Sequence, residues 1–354
     1  MMYDSFNPGK QWLDTAGKPI QAHGACVFYE NGVYYWIGEN KEFTDGKNKK
    51  IWTWGIRMYA SRDLYNWEDR GLIVEPDVKN KKSVLHPSRK MDRPHLICNG
   101  KTKKYVLWLK YFDQKCHYTV LTADRIQGPY AIVRERLRPF GRKAGDYDLA
   151  VDEATGQGYL YCELDHTDVV AVKLNDDYTD IQGEPSYIYR NLKPPLSREG
   201  VTHLRHGGKH YILTSGMMGY IPNPSEVAVS DDWMTGYTVQ GNPHVNDSSR
   251  ASFNSQISGV FPVANSDLLV AVADRWVPEF VMDAQRYDWI YRAIRSNYDR
   301  RVKATLREKI ALTKTPMVGS ANTSIARYVW LPITFEGDRL KIFWHDSWRL
   351  EDSQ

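Results

Sequence analysis

Acidic and amide side chains stand at the ends of several predicted strands in this sequence. Glu199 directly precedes an apolar run that turns at Gly207-Gly208 and continues as a second apolar run, a pattern typical of a β-hairpin. Other hairpins carry polar residues at the corresponding ends: His23, Glu39, Asp92, Asp146, Asp148 and Gln256. A single glutamate at a strand end is usually a solvated residue. If the strand ends meet, however, they bring together the carboxylates that cleavage of a glycosidic bond requires, a proton donor for the leaving oxygen and a group that acts on water or on the anomeric carbon.

The strands that must position these residues follow a repeat. An apolar strand, a turn with Gly or Asn and an aromatic-rich strand recur at residues 25–39, 95–109, 149–161, 199–216 and 259–272, and further strands follow each hairpin. Four-strand units that recur about every 50–70 residues are typical of a β-propeller, in which radial repetition protects the sheet edges. We therefore predict an all-β, five-bladed β-propeller that forms one domain over residues 1–354, with the inner-strand ends meeting at one face.

One segment departs from the repeat. Between Glu279 and Lys314, apolar and aromatic residues recur at helical spacing, with Arg and Lys between them. This pattern predicts a helical insertion in the last blade, at about residues 279–314. It leaves three placements open: against the outside of the propeller, beside the active site as a lid, or at a contact between two copies.

Composition narrows the possible partners. The formal net charge of +4 is too small to indicate nucleic-acid binding, and the 13% of aromatic residues favour strands and suit the faces of sugar rings. No apolar run of about 18 residues predicts a membrane-spanning helix. The first residues show no signal-peptide pattern, so we expect a cytoplasmic location if the sequence is complete and a periplasmic or secreted one if a signal was removed.

The residue pattern predicts neither a metal site nor a cofactor. Three of the four cysteines lie in apolar strand patterns, and the sequence has no C-x-x-C pair. His203, His206 and His210 alternate with apolar residues around a turn, where strand alternation would distribute them unevenly across the hairpin.

A series of short motifs along the chain resembles those of glycoside hydrolase family 43. The motifs are Ala22-His23-Gly24-Ala25, Gly32-Val33-Tyr34-Tyr35-Trp36 with Gly38-Glu39, Asp92-Arg93-Pro94-His95, Asp146-Tyr147-Asp148-Leu149, Arg198-Glu199, Ser255-Gln256 and Arg327-Tyr328-Val329-Trp330-Leu331-Pro332. The likeness extends over nearly the whole chain, and the nearest branch is similar to exo-β-1,3-galactanases (galactan 1,3-β-galactosidases). It implies a five-bladed propeller and an inverting, exo-acting glycosidase whose substrate is an oligo- or polysaccharide.

The resemblance also implies an acid for the reaction. Glu199 matches the general acid of the family. Asp146 matches the carboxylate that orients this acid and keeps its pKa high, because a nearby like charge raises the pKa of a carboxyl group. Asp148 takes this role instead if the alignment shifts by two residues.

The position of the base is unusual. Most of the family has a His-Asp-Pro motif on the first strand, and Gly24 stands in place of its Asp. The galactanase-like branch shares this gap, and a glutamine that matches Gln256 is thought to hold the water there. A neutral amide is a poor base, so Gln256 needs a carboxylate neighbour, for which Glu39 and Asp92 are the candidates. Asp92 stands where the branch usually has Glu.

The remaining site residues are predicted to bind the substrate. Tyr111, Trp276 and Tyr220 suit stacking on a galactose face, although loop or core packing explains each of them as well. Thr214 suits hydrogen bonding to sugar hydroxyls, and His23, Glu39 and Asp148 complete the set. An exo-β-1,3-galactanase is the first hypothesis. An α-L-arabinofuranosidase or β-xylosidase on the same scaffold, and a non-catalytic carbohydrate-binding propeller, are the alternatives.

Overall fold

The computed structural model describes residues 2–47, 50–112 and 116–353. Within these residues, twenty strands form five four-stranded antiparallel sheets, the blades of a propeller. Blade I comprises β1 (His23–Glu30), β2 (Val33–Glu39), β3 (Ile56–Ser61) and β4 (Glu68–Val74); blade II comprises β5 (Asp92–Cys98), β6 (Tyr105–Phe112), β7 (Cys116–Ala123) and β8 (Ala131–Leu137). Blade III comprises β9 (Ala144–Asp152), β10 (Gln157–Leu164), β11 (Asp168–Leu174) and β12 (Ile181–Tyr189); blade IV comprises β13 (Arg198–His206), β14 (Lys209–Gly216), β15 (Ser225–Ser230) and β16 (Thr238–Gly241); blade V comprises β17 (Gln256–Pro262), β18 (Leu269–Arg275), β19 (Arg327–Glu336) and β20 (Arg339–Ile342). The predicted five-bladed propeller is confirmed.

The blades are arranged as a closed ring around their first strands. Strands β1, β5, β9, β13 and β17 each contact the next in this order, and β17 contacts β1. The apolar character of a strand matches its burial. The middle strand β11 of blade III reads Val169-Val170-Ala171-Val172 and is buried on both faces, whereas β8, the outermost strand of blade II, is exposed almost throughout. The core therefore lies between adjacent blades.

Segments from the two ends of the chain meet at the seam between blades I and V. Phe6 and Trp348 exchange backbone hydrogen bonds of 2.9 and 3.1 Å, and their rings stack with centroids 4.2 Å apart. Both residues belong to a buried cluster that also contains Trp36, Trp67 and Trp330. Ring closure thus depends on apolar packing as well as on the strands.

The predicted helical insertion lies between β18 and β19. It contains α1 (Ala284–Tyr298) and α2 (Leu306–Thr313), and both helices begin at a capping side chain, Asp283 and Thr305 respectively. Ile290 of α1 packs against Met218 and Ile221 of the loop that follows β14. No helix in the described part of the chain is long and apolar enough to cross a membrane.

Candidate active site

A cavity of about 310 Å³ opens where the inner strands begin. It is lined by residues from all five blades, from the β14–β15 loop and from the two ends of the β18–β19 connection. They include Glu39, Trp52, Lys90, Asp92, Arg93, Lys110, Phe112, Asp146, His166, Glu199, Met217, Tyr220, Gln256, Trp276 and Val318. Val318 and Trp276 belong to the segments of the β18–β19 connection that flank the two helices, so the connection borders this cavity.

Backbone irregularities near the start of the inner strands aim side chains at the cavity. The register shifts between His23 and Cys26 on β1, between Asp92 and His95 on β5, and between Glu199 and Thr202 on β13. Similar shifts affect the β9–β10 and β17–β18 pairs. Such bulges bend a strand and re-aim its side chains, and they are frequent beside active sites.

The same bulges require a left-handed backbone. Gly24, Arg93 and Gly200 occupy corresponding positions on β1, β5 and β13, with φ of 55°, 54° and 62°. Glycine adopts this conformation without strain, whereas an arginine does so at a cost. Arg93 is therefore held there by its contacts in the site.

Glu199 is the carboxyl group best suited to donate a proton. Its side chain borders the cavity, and its Oε1 accepts a hydrogen bond of 3.2 Å from the backbone N–H of Met218. Burial and then the negative charge of Asp146 raise the pKa of Glu199 to about 7, against the opposing effect of Lys110. A carboxyl group with this pKa carries a proton for a large part of the time near neutral pH.

Asp146 is held as an anion. Its carboxylate accepts from Lys110 Nζ at 2.5 Å, from the Gly200 N–H at 3.0 Å and from Arg93 Nη2 at 3.0 Å. Burial opposes ionisation, but the charges of Arg93 and Lys110 hold the pKa of Asp146 well below its usual range. The two carboxyl groups, Glu199 and Asp146, therefore have pKa values pushed in opposite directions.

Gln256 has its amide orientation fixed by groups that can only donate. Its Oε1 accepts from Arg93 Nη2 at 2.7 Å and from Trp276 Nε1 at 3.1 Å. Its Nε2 donates to Ser215 Oγ at 2.8 Å. Neither a guanidinium nor an indole N–H can accept a hydrogen bond, so the oxygen and nitrogen of the amide cannot exchange places without losing these contacts.

Two further carboxylates occupy the side of the cavity formed by blades I and II. Glu39 accepts from the Arg93 N–H at 2.9 Å and lies 2.8 Å from Lys41 Nζ. Asp92 accepts from Trp52 Nε1 at 2.5 Å. Burial raises the pKa of Glu39 to about 7 despite Lys41, whereas at Asp92 the charges of Lys41 and Lys110 outweigh burial and lower the pKa.

The cavity brings together seven of the predicted site residues: Glu199, Gln256, Asp146, Asp92, Glu39, Trp276 and Tyr220. The other four are buried outside its lining. His23 pairs with Asp274 at 2.9 Å, Asp148 lies 2.6 Å from His95 Nδ1, and Thr214 accepts from Arg198 Nε at 2.9 Å. Tyr111 is 1% exposed, and its ring lies beside His117.

Sequence reasoning missed the cations of the site. Lys110, Arg93 and Lys41 neutralise the carboxylates, and Trp52 binds Asp92 from the loop between β2 and β3. A signal existed for Arg93, since it stands at the bulge position that Gly24 and Gly200 occupy in their own hairpins. Among the described residues, no group of three or more His, Cys, Asp or Glu side chains could hold a metal ion.

A propeller mouth that holds carboxyl groups with pKa values pushed apart is a site of the glycosidase class. The model of glycosyl hydrolases family 43 matches residues 18–259. The chain therefore belongs to glycosyl hydrolases family 43. No curated protein sequence matches it significantly.

Solved structures of the same family resemble the chain over almost its whole length. A family 43 β-1,3-galactosidase shares 28% identity with a TM-score of 0.78, and the match covers 99% of this chain and 65% of that protein. A second β-1,3-galactosidase, solved with galactodeoxynojirimycin, shares 22% identity with a TM-score of 0.77 and coverages of 98% and 100%. An exo-β-1,3-galactanase from Phanerochaete chrysosporium, a Glu-to-Gln variant with β-1,3-galactotriose, shares 21% identity with a TM-score of 0.77 and coverages of 99% and 70%.

Proposed function

We propose that this chain is an inverting, exo-acting glycosidase that releases galactose from β-1,3-galactan. The observation that carries the proposal is the pairing of Glu199 with Asp146 in a cavity of a family 43 propeller. A carboxyl group whose pKa is raised to about 7 beside one that stays ionised is the arrangement of a general acid and its neighbour. The sugar is inferred from the similarity to the β-1,3-galactosidase that is 28% identical.

Glu199 acts as the general acid in this proposal. It gives its proton to the glycosidic oxygen as the bond to the anomeric carbon breaks, and Asp146 keeps that proton on Glu199 until then. Gln256 holds the attacking water with the second N–H of its Nε2, since among the described residues only the first N–H has a partner, Ser215 Oγ. Attack by water on the face opposite the leaving group inverts the anomeric configuration.

The dimensions of the cavity support exo action. Its volume of about 310 Å³ is at the lower end of the range for ligand pockets, roughly 300–1,000 Å³. Trp52, Tyr220 and Trp276 form aromatic walls around the carboxylates, and such faces suit sugar rings. A pocket of this size suits the terminal sugar of a polysaccharide.

The test is hydrolysis by the purified chain. We expect galactose release from β-1,3-galactan, with α-galactose as the first product in the NMR spectrum, and p-nitrophenyl β-galactoside cleaved in preference to the α-arabinofuranoside and the β-xyloside. Preference for either of the other glycosides contradicts the proposed sugar, and binding of galactan without release of sugar indicates a non-catalytic binding propeller.

A substitution tests the acid. We expect Glu199→Gln to lower kcat on galactan on the order of 10²–10⁴-fold, because the proton donor is lost. The KM should stay close to that of the wild type, since the amide preserves the size of the side chain. Glu184→Gln, on the exposed strand β12, is the matched control. Unchanged kcat in Glu199→Gln would show that another group is the acid.

A further inference from the structure

The space of the missing first-strand carboxylate is already occupied. The resemblance to family 43 implies that Gly24 stands where most members have an Asp, and a Cβ atom built at Gly24 would lie 2.3 Å from Oε1 of Glu39. Real atoms do not approach this closely, so a side chain at position 24 would require the carboxylate of Glu39 to move. A carboxylate therefore reaches the same place from β2, where Glu39 pairs with His23 across the β1–β2 ladder.

Gln256 does not offer a proton acceptor to a water molecule. Both lone pairs of its Oε1 are used by Arg93 Nη2 and Trp276 Nε1, and the nitrogen of an amide has none to give. In the imidic tautomer of the Gln256 side chain, Oε1 would carry a proton and would need a hydrogen-bond acceptor. Oε1 faces instead two groups that only donate. Gln256 can therefore hold water by donating a hydrogen bond, and the proton of the water must go elsewhere.

We propose that Glu39 is the general base of this enzyme, replacing the first-strand aspartate of the family. This inference rests on the proposed function, and it adds the proton acceptor. One proton of the water moves to a carboxylate oxygen of Glu39 while the water oxygen bonds to the anomeric carbon. The bond from that carbon to the glycosidic oxygen breaks, and this oxygen keeps the electron pair and takes the proton of Glu199. Glu39 then loses its proton to solvent, and Glu199 regains one.

The surroundings of Glu39 suit this role. Only 2% of the residue is exposed, and among the described residues Oε1 accepts from the Arg93 N–H and Oε2 lies beside Lys41 Nζ, which leaves further lone pairs for water. The other ionisable groups that face it are Asp92 on β5 and Tyr220 in the loop after β14. Burial raises the pKa of Glu39 to about 7, which makes it a stronger proton acceptor than an exposed glutamate.

Chemical rescue distinguishes a base from a residue that supports the fold. With p-nitrophenyl β-galactoside, we expect Glu39→Ala to lower kcat on the order of 10²–10⁴-fold. Added azide should restore turnover and yield α-galactosyl azide, because an anionic nucleophile needs no proton acceptor. Glu39→Gln keeps the size of the side chain and an acceptor for Lys41, and we expect it to be as inactive as Glu39→Ala.

Moving the carboxylate back to the first strand provides the complementary test. Asp and Asn tolerate the left-handed backbone of position 24 better than most residues. The double variant Glu39→Ala with Gly24→Asp should therefore regain at least about tenfold of the activity lost in Glu39→Ala, whereas Glu39→Ala with Gly24→Asn should not. The pair differs only in the charge of the side chain at position 24.

The outcomes separate the two proposals. A wild-type chain that cleaves an arabinofuranoside or a xyloside instead of the galactoside overturns the proposed sugar, and the Glu39 series is then measured on the preferred glycoside. Near wild-type kcat in Glu39→Ala or Glu39→Gln overturns the base assignment alone. So does a loss of activity that azide leaves unchanged, since Glu39 would then act only through Lys41 and Arg93. A wild type inactive on every glycoside overturns both.

Discussion

At the scale of single residues, the charge state of each carboxyl group in the cavity follows from its immediate neighbours. Asp146 has Lys110 and Arg93 within 3.0 Å and remains ionised. Glu199 accepts a hydrogen bond of 3.2 Å from the backbone N–H of Met218, and burial and the charge of Asp146 raise its pKa. The difference in pKa between the two carboxyl groups therefore depends on Lys110 and Arg93, which contact Asp146 directly and act on Glu199 only from a distance.

The prediction at this scale concerns the pH dependence of kcat/KM. Asp146→Asn removes the negative charge that helps to raise the pKa of Glu199, and it leaves Lys110 and Arg93 without their partner. The pKa of Glu199 should fall, and since the acid works only below its pKa, the alkaline limb of kcat/KM should move to lower pH by about one unit. The measurement is kcat/KM against pH for the variant and for Asp177→Asn, an exposed control. An alkaline limb that stays in place or moves to higher pH would contradict the proposed coupling.

The motifs in the sequence predicted five acidic residues at the inner-strand ends, of which Glu39, Asp92, Asp146 and Glu199 line the cavity, but they did not predict what surrounds these residues. Glu199, Gln256 and Asp92 each begin, or nearly begin, an inner strand, so a strand-end pattern locates them. Lys110 and Trp52 come from β6 and from a long loop, and their contacts depend on register and loop path, which periodicity does not encode. Period-two alternation also does not distinguish a side chain that faces the cavity from one, such as Asp148, that is buried between blades.

At the scale of elements, the helical insertion is connected to the proposed acid. Ile290 of α1 is fully buried and packs in the same cluster as Met218, whose N–H donates to Glu199. The helical periodicity of residues 279–314 was sufficient to predict helices, because each needs one apolar face. It could not predict which surface that face covers, since the partner residues lie in a loop of blade IV.

We expect Ile290→Ala to affect both stability and catalysis. The cavity left in this cluster should lower the free energy of unfolding by about 2–5 kcal/mol. Displacement of Met218 should lower kcat roughly tenfold or more, because small shifts of a positioning group are costly. Thermal unfolding and kcat are measured beside Ile310→Ala, a partly exposed residue of α2, 44% exposed, that should leave both nearly unchanged. Equal kcat in the two variants would indicate that α1 does not position the acid.

At the scale of the whole molecule, the five repeats in the sequence predict the number of blades, but not how the ring closes. Closure brings together Phe6 and Trp348, which are near opposite ends of the chain and carry no turn or strand signal that links them. Their contact is specified by the shape of the aromatic cluster at the seam, with Trp330 at its centre. Such long-range packing becomes visible only in three dimensions.

The seam predicts a difference between two similar substitutions. Phe6 is 1% exposed and Phe343 is 38% exposed. We expect Phe6→Ala to lower the free energy of unfolding by about 3–5 kcal/mol, because a large buried ring is removed from a packed cluster. Phe343→Ala should cost much less. Thermal unfolding followed by tryptophan fluorescence compares the two variants. Similar midpoints would show that packing at the seam contributes no more to stability than an exposed ring does.

Because Phe6 and Trp348 are hydrogen-bonded to each other, the backbone from one to the other nearly closes on itself. A short peptide could connect the segment before Phe6 with the segment after Trp348, and the chain could be opened at the exposed Gly100-Lys101 step, where an added Cβ atom at Gly100 would meet nothing within 4 Å. A circularly permuted chain of this kind would begin with β6 and finish with β5. We therefore expect the fold not to depend on the order in which the blades are synthesised.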